Sequence, residues 1–166
     1  MEGSLVLKDK EQIEILKKII SIKSRGKKVV AVSGGFDPIH VGHIRHLRGA
    51  GKAGYYLLVF LQPDEWLINK KGYAFMPYEE RKEILENILW VDGVVPVIDK
   101  DKTVAKTLAF WKPSIFMKGG DRTLDNIPRS EKKSCKRNGI KLQYDNMGGK
   151  VQSSSWLVEK VKNGKA

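Results

Sequence analysis

The hydrophobic pattern of the chain alternates between short apolar runs and longer amphipathic segments. Runs such as VVAV (29–32) and YYLLVF (55–60) are rich in β-branched and aromatic residues, which predicts buried strands. The longer segments repeat apolar residues every three or four positions, as amphipathic helices do. The predicted strands cover 27–35, 55–62, 93–99, 114–121 and 140–145. The predicted helices cover 9–23, 40–54, 76–93, 102–113, 127–139 and 153–164, and residues 63–75 are predicted to form a loop.

This regular alternation of strands and helices predicts an α/β protein. The expected architecture is a Rossmann-like three-layer fold, in which a five-stranded parallel sheet has helices on both faces. The sequence contains no repeat or linker, so residues 1–166 are expected to form a single domain. Residues 1–26 are expected to form a helical extension that packs either on the sheet or on a partner subunit.

Parallel sheets of this kind bind ligands beyond the carboxyl ends of their strands, where the strand order reverses. We therefore expect the chemistry to lie in the segments that follow the first, second and fourth strands and at the start of the last helix. These segments are 34–43, 63–74, 118–123 and 148–155.

The composition indicates a protein of a reducing compartment that binds anions. Its single cysteine excludes an internal disulfide, and the chain has neither a signal-peptide pattern nor an apolar stretch of membrane-spanning length. A cytoplasmic location without a membrane partner is therefore expected. The net charge of +12 suits nucleic acid, an acidic membrane surface or anionic small molecules. The most basic segment, 130–141, lacks the interleaved aromatic residues used to bind single strands, so we do not expect nucleic acid.

The segment GGFDPIHVGH (34–43) concentrates the candidate chemistry. Its glycines let a backbone approach a ligand closely, and the helix that follows presents its N-terminus, which favours anions. His40 is expected at the start of this helix and His43 in its first turn, so that both imidazoles point at one anion. Gly42 between them would keep that approach uncrowded. A metal site is not predicted because no third ligand has fitting spacing, and the glycine pattern is not the dinucleotide fingerprint GxGxxG.

The same segment resembles the HxGH signature of the nucleotidylyltransferase superfamily, here HVGH (40–43). Four further segments resemble that family in the same order: QPDEWLINKKG (62–72), PYEERKEIL (77–85), MKGGD (117–121) and QSSSWL (152–157). MKGGD is similar to the KGGD of bacterial heptose-phosphate adenylyltransferase domains. Many relatives have an arginine shortly after the serines, which this chain lacks. The resemblance runs from about residue 28 to residue 161.

The resemblance implies an enzyme that transfers a nucleoside monophosphate, with AMP from ATP favoured, to a small phosphorylated acceptor such as a sugar phosphate, releasing pyrophosphate. It implies His40, His43 and Lys71 as catalytic residues, the histidines acting as positive donors to phosphate oxygens. It implies Asp37, Lys70 and Lys71 as acceptor-binding residues. The implied nucleotide-binding residues are Gly34, Gly35, Phe36, Asp37, Gly42, Arg81, Lys118, Gly119, Gly120, Asp121, Ser153, Ser154 and Ser155. Mg²⁺ bound through the nucleotide phosphates is also implied, and family members often form homodimers.

Three alternatives stay open at the level of the sequence. The nucleotide could be CTP, with glycerol 3-phosphate or a similar polyol or amino-alcohol phosphate as the acceptor. GGFDPIH also resembles nicotinate mononucleotide adenylyltransferases, although the short chain and KGGD argue against that group. The chain could instead be a non-catalytic module that binds nucleotides or nucleic acid, against which the intact His40 and His43 argue.

Overall fold

A computed structural model describes residues 9–119, 123–144 and 152–164. The strands are β1 (Val29–Gly34), β2 (Tyr56–Leu61), β3 (Gly93–Pro96), β4 (Ile115–Lys118) and β5 (Lys141–Tyr144). The helices are α1 (Lys10–Ser24), α2 (Val41–Ala53), α3 (Asp64–Lys71), α4 (Tyr78–Glu86), α5 (Ala105–Trp111), α6 (Arg129–Arg137) and α7 (Ser154–Lys162), and a 3-10 turn covers Leu124–Asn126. All strand pairs within these ranges are parallel, in the order β3-β2-β1-β4-β5. The predicted α/β fold is confirmed.

Apolar side chains fill both faces of the sheet, because successive residues of a strand point to opposite sides. Along β1, Val29 and Ala31 pack into a cluster shared with α1, α5 and α6. Val30 and Val32 pack into a second cluster shared with α2 and α4. The strand residues in these clusters are almost fully buried, as the continuous apolar pattern of the sequence predicts. The result is three layers with the sheet in the middle.

The N-terminal helix α1 belongs to the first of these clusters. Its apolar stripe, Ile15, Ile19 and Ile22, is buried against the sheet. Asp9 caps the helix by accepting the N–H of Glu11 at 3.0 Å. The sequence leaves open whether this extension packs on the sheet or on a partner subunit. In the structure, α1 packs on the sheet.

The segment predicted as a loop after β2 contains the helix α3 instead. Pro63 and the acidic residues Asp64 and Glu65 begin the helix, and Gly72 ends it with a left-handed φ of 89°. Leu67 is the buried residue of α3. Because a single side chain enters the interior, the sequence shows little of the apolar periodicity from which helices are predicted.

The strand order sets the place of the ligand site. β1 lies between β2 and β4, so the chain leaves β1 toward one edge of the sheet and later returns to its other side. The crevice that such a reversal opens lies beyond the carboxyl ends of β1 and β4. The loop from β1 to α2 occupies this position. Of the helices within the described ranges, none combines the length and the apolar character needed to cross a membrane.

Candidate active site

The loop between β1 and α2 folds into a reciprocal cap that joins the two histidines. His40 is the N-cap of α2, and its Nδ1 accepts the N–H of Gly42 at 3.1 Å. His43 lies in the first turn, and its Nδ1 accepts the N–H of His40 at 3.2 Å. The two rings are stacked, with centroids 3.8 Å apart and planes 21° from parallel. The predicted location of both histidines at the start of the helix is confirmed.

These caps determine where the imidazoles carry their protons. A ring nitrogen that accepts a hydrogen bond is unprotonated, so each neutral ring carries its proton on Nε2. Burial, with repulsion from His40 and His46, lowers the pKa of His43 to about 3. In the protein without a bound nucleotide, His43 is therefore a neutral N–H donor near neutral pH. A positive charge on His43 beside a bound triphosphate stays a prediction. His46 lies one turn further along α2, outside the cap, as its spacing predicts.

Gly42 is needed by the cap itself. A Cβ atom at this position would lie 2.9 Å from Cε1 and 3.0 Å from Nδ1 of His40. These separations are shorter than real side-chain contacts, so any other residue would displace the ring. The glycine makes room for the His40 ring, and its expected role beside a bound anion stays a prediction.

The residues just before the cap pack against protein atoms. A Cβ atom at Gly35 would lie 2.6 Å from Cδ2 of Leu67 in α3, and one at Gly34 would lie 3.1 Å from the Phe36 ring. Phe36 has a left-handed backbone with a φ of 50°, and its side chain is buried, with its ring centroid 5.0 Å from that of His43. The two glycines thus allow close packing of the loop. The buried Phe36 ring supports His43. The expected contact of this residue with the nucleotide stays a prediction.

Asp37 ties the loop to the segment after α3. Its carboxylate is buried and accepts the N–H of Phe75 and the N–H of Met76, each at 2.7 Å. Lys71 adds an ion pair to Oδ2 at 2.8 Å. Both oxygens are bonded within the protein, so Asp37 orients the loop. Its expected contacts to the acceptor and the nucleotide stay predictions.

Lys71 lies at the end of α3 and reaches the same loop. Its Nζ donates to the backbone oxygen of Asp37 at 2.6 Å as well as pairing with the carboxylate. The side chain is 19% exposed, so it is only partly covered by the protein. Lys70 points elsewhere, with its Nζ 4.5 Å from the centroid of the Trp66 ring. The two lysines that the sequence groups together therefore have different surroundings: Lys71 contacts Asp37, and Lys70 lies against the Trp66 ring.

Arg81 of α4 is buried, and its guanidinium is used within the protein. Nη1 donates to the backbone oxygens of Gly35 at 2.8 Å and Gln62 at 2.9 Å, and Nε donates to the oxygen of Met76 at 3.0 Å. Nη2 pairs with Asp64 at the start of α3. With a side-chain exposure of 0%, Arg81 acts as a clamp that fixes the ends of β1 and β2. The nucleotide contact expected from the sequence stays a prediction.

The N-terminus of α7 meets the loop that begins α2. Ser153 is the N-cap and accepts the N–H of Trp156 at 3.2 Å. The hydroxyl of Ser154 donates to the backbone oxygen of Pro38 at 2.8 Å, while Ser155 is exposed. Two helix N-termini, each with a partial positive charge, therefore converge beside His40. The three serines have three different environments, and Ser153 acts as an ordinary helix cap.

The end of β4 contributes to the opposite side of the crevice. Lys118 forms an ion pair with the buried Glu131 at 2.8 Å. No described atom lies within 4 Å of the position that a Cβ atom would occupy on Gly119, so the chain is open there. Gly120 and Asp121, the rest of the KGGD segment, lie outside the described residues. Within the described ranges, no group of three or more His, Cys, Asp or Glu residues could hold a metal ion.

Sequence reasoning missed two partners that hold this site together. Asp64 binds Arg81, and Gln62 provides a backbone oxygen to the same guanidinium. The signal for Asp64 is present in the sequence, since an acidic residue after proline is typical of a helix start. The Gln62 contact has no sequence signal, because a backbone acceptor carries no residue preference.

A family model described as cytidylyltransferase-like matches residues 31–161. Among proteins of known family, the chain is 36% identical over 129 residues to the bifunctional protein HldE of Geobacter sulfurreducens, a match that covers 76% of this chain and 25% of that protein. It is 30% identical over 159 residues to the bifunctional protein HldE of Yersinia pestis, covering 95% of this chain and 32% of that protein. The chain thus spans about a third or less of the length of these relatives.

A solved structure has the same fold. It is described as the lipopolysaccharide core biosynthesis protein from Thermoplasma volcanium GSS1, with a TM-score of 0.64 and 24% identity, and the match covers 75% of this chain and 100% of that one. This likeness concerns the fold alone. The matched family model spans the capped histidines, α3, Arg81 and nearly all of α7. The chain belongs to the cytidylyltransferase-like family of nucleotidyltransferases.

Proposed function

We propose that the protein transfers a nucleoside monophosphate from a nucleoside triphosphate to a small phosphorylated acceptor and releases pyrophosphate. The observation that carries this proposal is the reciprocal cap of His40 and His43, which lies where two helix N-termini converge. ATP is the favoured nucleotide and a sugar phosphate the favoured acceptor, because MKGGD resembles the heptose-phosphate adenylyltransferases. CTP with a polyol phosphate is the competing pair.

In the proposed reaction, an oxygen of the acceptor phosphate attacks the α-phosphorus in line. A new bond forms between this oxygen and the α-phosphorus, the bond to the bridging oxygen breaks, and its electrons leave with pyrophosphate. The acceptor phosphate is already ionised near neutral pH, so no general base is required. The task of the protein is therefore to position the two phosphates and to stabilise the charge that builds up between them.

The histidines serve that task as rigid donors. With Nδ1 of each ring held by a backbone N–H, the Nε2–H groups are fixed in direction and donate to the α- and β-phosphate oxygens. A preorganised donor of this kind contributes about 100- to 1000-fold in rate. Lys71 would add a positive charge by moving from Asp37 to a phosphate, and the N-terminus of α7 would hold the terminal phosphates of the nucleotide.

Mg²⁺ would enter as part of the nucleotide substrate. The described residues offer no carboxylate cage, and Mg²⁺ in triphosphate sites keeps most of its ligands as phosphate oxygens and water. The ion would lower the charge of the triphosphate, while the protein supplies the donors already named.

The test uses the purified chain with ATP or CTP, Mg²⁺ and four acceptors: heptose 1-phosphate, mannose 1-phosphate, ribose 5-phosphate and glycerol 3-phosphate. Pyrophosphate release is followed for each pair. We expect release with ATP and at least one sugar phosphate, and less release with CTP or glycerol 3-phosphate. Silence with every pair, together with salt-sensitive binding of an oligonucleotide, would overturn the proposal in favour of a non-catalytic module.

A further inference from the structure

A buried ion pair joins the end of β4 to the first turn of α6. Nζ of Lys118 lies 2.8 Å from Oε2 of Glu131, and the two side chains are 13% and 4% exposed. Lys118 is the last residue of β4, and Glu131 is the acidic residue of the first turn of α6. Taking two charges out of water is costly, so a buried pair is poorly explained by stability alone. The proposed reaction gives Glu131 no task.

The same carboxylate also holds the start of α5. Its Oε1 accepts the N–H of Val104, the N-cap residue of α5, at 3.2 Å. One turn further along α6, the hydroxyl of Ser134 donates to the backbone oxygen of Ala105 at 2.7 Å. The start of α5 is therefore bonded to α6, and Glu131 links both helices to the end of β4.

The pair lies toward the edge of the sheet from which the histidine loop extends. β4 pairs with β1 in parallel, so the carboxyl ends of both strands point to the same edge. Gly119 follows Lys118, and no described atom lies within 4 Å of the position that a Cβ atom would take there. Lys118 is thus the last anchored side chain before the open part of the KGGD segment, which the family resemblance assigns to the nucleotide.

The burial of Glu131 favours a pair that stays closed. If Lys118 moved to a phosphate, a buried carboxylate would lose its counter-charge, which is strongly unfavourable. Asp37 keeps two N–H bonds at 2.7 Å when its lysine leaves. Among the described residues, Glu131 would keep one N–H bond, at 3.2 Å. The pair of Glu131 is therefore harder to separate than that of Asp37.

We propose that Glu131 is a positioning residue for the nucleotide, which keeps Lys118 paired while the nucleotide is bound and so fixes the end of β4 and the glycine segment after it. This inference rests on the proposed function, because it concerns the nucleotide of that same reaction. Lys118 acts through the backbone that follows it and does not leave Glu131 for a phosphate. Lys70 and Lys71, which the resemblance assigns to the acceptor, follow β2 on the other side of β1, so acceptor binding should not depend on the pair.

The test measures nucleotide affinity by calorimetry in the native protein, Glu131→Gln, Lys118→Met and the double variant, with whichever of ATP and CTP the native protein prefers. Glutamine loses the charge but can still accept the N–H of Val104. We expect each single variant to bind the nucleotide about 5- to 10-fold more weakly, with KM for the acceptor unchanged at saturating nucleotide. The double variant should bind no more weakly than the single variants, because all three lack the same pair.

Glu14→Gln is the matched control, since Glu14 forms an ion pair of the same length, 2.8 Å, with Lys17 on the exposed side of α1. It should leave nucleotide affinity and acceptor KM unchanged. Thermal unfolding is measured for every variant. A lower unfolding temperature with unaltered nucleotide affinity would show a purely structural pair and overturns the inference. Weaker binding in Lys118→Met with native or tighter binding in Glu131→Gln also overturns it, because Lys118 would then contact the nucleotide directly.

The double variant leaves neither charge unpaired, so it tests the pair even if a single variant fails to fold. Calorimetry does not depend on turnover. Affinity that falls as expected in a protein that releases no pyrophosphate would therefore count against the proposed reaction and not against the role of Glu131. Turnover by the native protein with unaltered affinity in the variants would do the reverse, and a native protein that binds neither nucleotide would overturn both.

Discussion

His40 and His43 use the two nitrogens of each imidazole for different purposes. Nδ1 accepts a backbone N–H and begins α2, while Nε2 carries the proton that the proposed reaction needs. The structural role and the proposed catalytic role are therefore separable by substitution. Asparagine at either position could retain an oxygen near Nδ1 for the cap but would lack a donor at Nε2.

The low pKa of His43 predicts a loss of stability in acid. The unfolded chain takes up a proton near the ordinary pKa of 6.5, whereas the folded chain does so near 3, so the stabilisation is present above pH 6.5 and decreases as pH falls toward 3. We expect the native protein to lose about 2 kcal/mol from this group between pH 7.5 and 5. Urea unfolding at both pH values measures this.

His43→Asn is the control for this titration, because asparagine carries no titratable group. The variant should lose about 2 kcal/mol less than the native protein over the same interval. Equal losses in the two proteins would mean that His43 does not carry the pH dependence.

At the scale of elements, helices α3 and α4 hold the loop between β1 and α2 in place. α4 provides Arg81, which clamps the ends of β1 and β2, and α3 provides Lys71, which pairs with Asp37. Arg81 and Asp37, which the family resemblance assigns to the nucleotide, thus also hold the loop that carries the histidines.

Arg81→Lys tests this role of α4. Lysine keeps the positive charge but cannot form the forked set of bonds, so buried backbone oxygens lose their donors. We expect the free energy of unfolding, measured in urea, to fall by about 2 to 4 kcal/mol. Arg48→Lys, at an exposed position of α2, should leave it unchanged. Unchanged stability in Arg81→Lys with a raised KM for ATP would instead indicate a direct nucleotide contact.

The elements differ in how well the sequence predicts them. The apolar runs predict the strands, and the glycine-rich turn after β1 predicts the start of α2. Both are local signals. α3 could not be predicted from periodicity, because Leu67 alone enters the interior. Apart from the Met76 oxygen, which lies five residues before Arg81, the partners of Asp37 and Arg81 could not be predicted either, since they come from segments 17 to 46 residues away and include backbone oxygens and N–H groups.

For the molecule as a whole, α1 is part of the core although it precedes the matched family region. Ile19 is 2% exposed within the cluster on one face of the sheet, and the adjacent Ile20 is 61% exposed. The spacing of apolar residues predicts the helix, but it could not decide between packing on the sheet and on a partner. Likewise, the alternation of elements predicts a parallel sheet without fixing its strand order.

The packing of α1 predicts very different losses of stability for substitutions at two neighbouring residues. Ile19→Ala should lower the free energy of unfolding by about 2 to 5 kcal/mol, because it opens a cavity against the sheet. Ile20→Ala should change it by no more than about 0.5 kcal/mol. Both are measured by urea unfolding of the full chain. Equal small effects would place α1 outside the core.

The central claim is that His43 donates from Nε2 to the reacting phosphates. The most direct measurement is pyrophosphate release by His43→Asn under single-turnover conditions, with ATP and the sugar phosphate that the native protein prefers, alongside thermal unfolding of both proteins. We expect the rate to fall about 100- to 1000-fold while the unfolding temperature stays within a few degrees. A variant that keeps its fold and releases pyrophosphate within about threefold of the native rate would contradict the claim, because such a donor is worth far more.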